Sequence, residues 1–134
     1  MKYDPLYVQY LYYFNVERDY FECHEVMEEL WMEEGRDPLC QGLLQVAVGL
    51  YHARNDNVSG AVKLFTQALE KLKRYPEHQL GIDLARLISE SEQYLFKLNE
   101  NTLEPFPFRD MTIIILDPHL QDAVDEEQSN RSSQ

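Results

Sequence analysis

Residues 39–54, L-C-Q-G-L-L-Q-V-A-V-G-L-Y-H-A-R, limit the folds open to this chain more than any other stretch. The run is too long for a single strand, and no apolar run in the chain approaches the roughly 20 residues that cross a bilayer. Asp37-Pro38 ahead of it supplies a capping aspartate and a proline at the first helical position. The spacing therefore predicts a helix that is apolar on nearly every side. Such a helix is stable only when other helices surround it, so the chain reads as all-α, a bundle with this helix at its centre.

Polar residues interrupt that helix in one place. Gln41, Gln45 and His52 project within about 40° of one another, together with Val48, as a narrow stripe. Gly42 and Gly49 lie beside the stripe, each costing about 1 kcal/mol in helix propensity, which predicts close approach of a neighbouring backbone.

The preceding segment, D-Y-F-E-C-H-E-V-M-E-E-L-W-M-E over 19–33, carries a matching feature. Asp19 followed by Glu22 has capping-box spacing and starts a second helix near Tyr20. Tyr20, Cys23, Met27, Leu30 and Trp31 fall in one arc, with Phe21 on its edge and Glu22, Glu25, Glu29 and Glu33 opposite. His24 and Glu28, four apart, are expected to point into the apolar arc, where polar groups are expensive. The short link before the third helix makes the two antiparallel. With the turn near Arg36, Glu28 lies level with Leu44 and Gln45, and His52 about one turn beyond His24. A buried polar site between these helices is expected.

The rest of the chain closes the bundle. A first helix is expected from Pro5 through Phe14, with Asn15 serving a turn before the second. A fourth helix covers about 58–74 and a fifth about 82–99, giving about five helices in one domain over 1–100. Pro105-Phe-Pro-Phe and Thr112-Ile-Ile-Ile-Leu make 101–121 an extended segment. That segment either lies across the bundle or pairs with its copy in a second chain, forming a homodimer. The acidic, aromatic-free stretch 122–134 reads as a disordered tail.

Charge excludes some partners. With 24 Asp and Glu against 12 Lys and Arg, a net charge of −12 disfavours nucleic acid and anionic membranes, whose affinity comes from basic residues. The residues at the start do not resemble a signal peptide, and a cytoplasmic location is expected. Cys23 and Cys40 lack C-x-x-C spacing and lie in apolar surroundings, so they read as reduced, buried thiols.

Three accounts fit the polar residues. His24, Glu28, Gln45 and His52 can form a buried hydrogen-bond network that fixes helix register. They can instead form a site. His24, Glu28 and His52 supply the 2-His-1-carboxylate set of divalent iron, manganese or zinc, or act as catalytic acid and base on a small ligand, with Gln45 binding it and Trp31 and Phe21 as walls. The H-E-x-x-E run lacks the second histidine of zinc proteases, and the Glu-x-x-His spacing of di-iron bundles is missing. In the third account the chain is an interaction module. Its fourth helix resembles a lone tetratricopeptide helix, and Tyr3, Tyr7, Tyr10, Tyr12 and Tyr13 could line a partner surface.

Phe14-Asn15, F-E-C-H-E-V-M-E-E-L-W, Q-G-L-L-Q-V-A-V-G-L-Y-H and N-V-S-G-A together resemble the all-helical bacterial and archaeal domain of unknown function family 309. The resemblance covers Phe14 to about Leu72. It implies an all-α fold and a signature formed by His24, Glu25, Glu28, Trp31, Gln45 and His52, and it assigns no activity.

Overall fold

In the computed structural model, which describes residues 3–133, each α-helix begins at a side chain that caps it. Asp4, Asp19, Asp37, Asn57, Asp83 and Asp117 accept from orphan amides one turn on. They set the starts of α1 (Pro5–Tyr12), α2 (Tyr20–Glu33), α3 (Pro38–Arg54), α4 (Val58–Leu72), α5 (Leu84–Glu100) and α6 (Pro118–Ser132). Each cap is worth about 1 kcal/mol over alanine. The fold is all-α, with a minimal hairpin of β1 (His78–Gln79) and β2 (Ile82–Asp83) as the exception.

α3 is the central helix, packed between α2 and α4, while α1 covers α2, α5 covers α4 and α6 lies on α1. Leu43, Val46, Ala47 and Leu50 of α3 are fully buried. The two α3 glycines do mark a close approach, but to α4 side chains rather than to backbone. A Cβ on Gly42 would stand 2.8 Å from Leu72, and one on Gly49 would stand 2.9 Å from the Phe65 ring. The predicted second, third and fourth helices therefore stand within a residue or two of their expected limits.

Four expectations change. First, α1 runs on through a π-helical turn, Tyr13–Glu17, and ends at Arg18, whose φ of 56° is left-handed. Asn15 serves no local turn: its side chain donates to the Ile113 carbonyl at 2.8 Å and accepts from the Ile113 amide at 2.9 Å. Second, the tyrosines expected on a partner surface mostly belong to the core. Tyr7, Tyr10 and Tyr12 are buried, and the Tyr7 and Tyr10 hydroxyls donate to the Leu80 and Leu43 carbonyls. Third, a hairpin turning through Leu80 and Gly81, both at positive φ, occupies the expected start of the fifth helix.

The fourth change concerns the C-terminal part. The extended segment lies along its own chain, bridging Ile115 to Ile82, with Asp83 donating to Ile114 and Leu116 donating to Gly81. Arg18 braces it from the other side through the Met111 carbonyl and the Thr112 hydroxyl. The stretch read as a disordered tail is helix α6. Its two apolar residues, Leu120 and Val124, are four apart and so share one face, and both are buried. Arg131, paired with Glu127 at 2.6 Å, lies over the rings of Tyr12 and Tyr13 at 4.8 and 4.7 Å. Composition hides this helix because a partner surface, rather than its own hydrophobicity, holds it. Among the described residues no helix is long and apolar enough to cross a membrane.

Candidate functional site

The expected antiparallel register of α2 and α3 is present. Phe21 faces Tyr51 with ring centroids 6.0 Å apart, while Trp31, at the other end of α2, shares a hollow with Gln41 and Leu44. Two adjoining hollows follow the seam. A polar one of about 270 Å³ is lined by His24, Glu28, Trp31, Gln41, Gln45 and Leu64, among others. An aromatic one of about 160 Å³ is lined by Tyr20, Phe21, Tyr51 and His52. His24 and Val48 line both. All six predicted site residues, His24, Glu28, His52, Gln45, Trp31 and Phe21, thus line one groove.

The groove is not the buried site expected. The His24 and Glu28 side chains keep 31% and 51% of their surface exposed, joined by an Nε2–Oε2 contact of 3.0 Å. His24 Nδ1 meets Glu25 Oε1 at 3.2 Å, so both ring nitrogens face carboxylates. An exposed pair of this kind contributes at most about 1 kcal/mol. This stretch of α2 is left partly uncovered, which turns an inward arc into a rim. The proposed network also divides. Gln45 Nε2 donates to Gln67 Oε1 of α4 at 3.0 Å, and His52 Nδ1 lies 3.3 Å from Asn57 Nδ2.

The metal set made of His24, Glu28 and His52 does not assemble. His52 turns toward Asn57 at the α3–α4 corner, and among the described residues no three His, Cys, Asp or Glu side chains are placed to hold a metal ion. Cys23 donates to the Tyr10 carbonyl, and burial, reinforced by Asp19, pushes its thiol pKa up. Burial, then Asp37 and Glu34, pushes Cys40 up to about 11. Both thiols are therefore protonated and poorly nucleophilic at neutral pH.

Two groove atoms stand apart from the rest. Trp31 Nε1 and Gln45 Oε1 are buried and find no partner among the described residues. Gln45 is 7% exposed, and its other amide atom is already held by Gln67. An unpaired buried donor or acceptor costs about 1–3 kcal/mol, so the groove keeps one of each at a standing cost. The guanidinium of Arg36 lies over the Trp31 ring, 5.0 Å from its centroid. Sequence reasoning missed Arg36, Gln67 and Tyr51. Tyr51 was within reach, since it precedes His52 on the same helix; Gln67 needed the α3–α4 register, and Arg36 the geometry of the interhelical turn.

A larger cleft, about 460 Å³, lies between α5 and residues 106–114, away from these groups. Its Arg86 is paired with Glu90, and its Asp110 accepts from Tyr20 at 2.5 Å. No atom of the unsatisfied set lines it. Size favours this cleft, while unmet hydrogen bonding favours the smaller groove. Unmet hydrogen bonding is the stronger mark of a site, because volume alone specifies no ligand.

Residues 7–64 match the family described as Domain of unknown function (DUF309). Over 93 residues the chain is 41% identical to the Uncharacterized protein YpuF of Bacillus subtilis (strain 168), covering 64% of this chain and 52% of that protein. The chain therefore spans about half the length of the curated relative it matches. No solved structure matches it. The matched segment runs from α1 into α4 and contains every residue that lines the two hollows, whereas the larger cleft begins at Arg86. The resemblance to family 309 read from the sequence is thus borne out over residues 7–64.

Proposed function

We propose that the α2–α3 groove is a ligand-recognition site and that the domain works by binding. The observation that carries this reading is the pair of unpartnered buried atoms, Trp31 Nε1 and Gln45 Oε1, lining one hollow within the matched segment. A fold that needed these side chains only for packing gains nothing from leaving both unpaired. In this reading Trp31 and Gln45 hold the ligand, His24 and Glu28 form a polar rim, and Phe21 and His52 flank an apolar end. His24 and Glu28, already in contact, are also placed to pass a proton to or from a bound group.

The test is a screen of small uncharged fragments by amide ¹H–¹⁵N spectra of the full chain. Shifts are expected to cluster on residues 21–52 and to weaken in Glu28→Gln, whose melting temperature should stay within about 2 °C of the parent, as for an exposed position. Shifts that cluster on residues 86–114 instead, or on no surface, would overturn the reading.

A further inference from the structure

We infer that the ligand is a peptide segment, held by one backbone amide next to an apolar side chain; this rests on the groove being the ligand site. The argument starts from the polarity of the two unmet groups. An indole N–H can only donate, and Gln45 Oε1 can only accept. Their complement is a neutral group that carries both an acceptor and a donor, as a secondary amide does with its C=O and N–H. A carboxylate or phosphate would satisfy Trp31 and leave Gln45 facing a like charge. An ammonium would satisfy Gln45 and repel the indole N–H.

The adjoining hollow supplies the second half of the argument. It is walled mostly by rings, Tyr20, Phe21, Tyr51 and His52, with Val48 at its junction with the polar half. At about 160 Å³ it has room for one aliphatic side chain. Phe21 is 50% exposed, a large apolar surface that an occupant would cover. An amide in one hollow and a leucine-sized side chain in the next match the alternation of polar backbone and apolar side chain along a peptide. Both unmet atoms lie beneath the groove surface, so entry displaces the rim.

Trp31 is the one tryptophan of the chain, which gives the experiment a single indole signal. The full chain is titrated with N-acetyl-leucine N-methylamide, with the diester of the same carbon skeleton, which keeps both carbonyls and lacks both N–H groups, and with acetyl-Gly-Leu-Gly N-methylamide. The amide is expected to move the Trp31 indole N–H and to bind about tenfold more tightly than the diester, as the loss of a hydrogen bond to a buried acceptor predicts. Gln45→Met, similar in volume, should remove that tenfold difference while the spectrum stays folded. The tripeptide should bind at least as tightly as the capped leucine.

Amide and diester titrating alike, while other fragments still shift residues 21–52, would overturn the peptide assignment and leave the groove reading standing. A tripeptide weaker than the capped leucine would also overturn it, marking a small free amide as the ligand. An indole and groove that no compound moves would overturn both.

Discussion

Asn15 does for the extended C-terminal segment what a neighbouring strand would otherwise do. Its amide satisfies both the N–H and the C=O of Ile113, whose side chain is buried. Asn15→Ala should destabilise the fold by about 1–3 kcal/mol in urea unfolding, since two backbone groups lose their partners at once. Asn15→Leu should not rescue it, which separates hydrogen bonding from packing. Cys40 makes a second residue-level prediction. Its pKa is raised from 9.0 to about 11, so the folded state favours the protonated thiol. That contribution is complete below the unfolded pKa and is lost as pH rises through the folded value. Stability should fall between about pH 9 and pH 11, and Cys40→Ser should flatten that limb of the curve. At this scale the sequence picked out residues that line one seam and misjudged their burial. Helical periodicity places His24 and Glu28 on a face, but only the neighbours decide whether that face becomes core or groove rim.

The α3–α4 contact is where helix geometry is most demanding. Alanine at either α3 glycine gains about 1 kcal/mol of helix propensity and meets α4 at under 3 Å. The neighbour decides the sign. Gly42 faces the end of the Leu72 side chain, which can rotate, whereas Gly49 faces the Phe65 ring, itself stacked on Tyr94 with centroids 5.1 Å apart. Gly49→Ala should therefore cost about 1–3 kcal/mol and Gly42→Ala markedly less, measured by thermal unfolding of the two variants side by side. The central helices were legible because caps and apolar period agreed over long spans. The hairpin and α6 were not. Two-residue strands leave no alternation to read, and α6 is polar except for Leu120 and Val124, so its evidence lies on α1.

For the whole molecule, the start of α1 and the start of α6 meet. The Tyr3 hydroxyl donates to Asp117 at 2.5 Å, and that bond, with the His119 amide, holds the Asp117 carboxyl below its usual pKa. A carboxyl lowered by folding stabilises at pH values above its unfolded pKa, and the contribution disappears as pH falls through the lowered value. Docking of α6 should therefore loosen in acid below about pH 4, and Asp117→Asn should remove that dependence. Amide hydrogen exchange in α6 against pH is the measurement; an exchange profile unchanged by the substitution would refute it.

The seam between α1 and α6 also has a consequence for biosynthesis. Tyr3 meets Asp117, 114 positions later, while Arg131 reaches Tyr12 and Tyr13, so the two helices run in the same direction along each other. On a ribosome adding roughly 5–20 residues per second, α2 to α4 can pair through short connections as they emerge. The outer face of α1 has no such neighbour and stays bare until residues 118–132 have been made. For those seconds the nascent chain offers a tyrosine-rich apolar strip of the kind that chaperones hold, and emergence of α6 is the event that covers it.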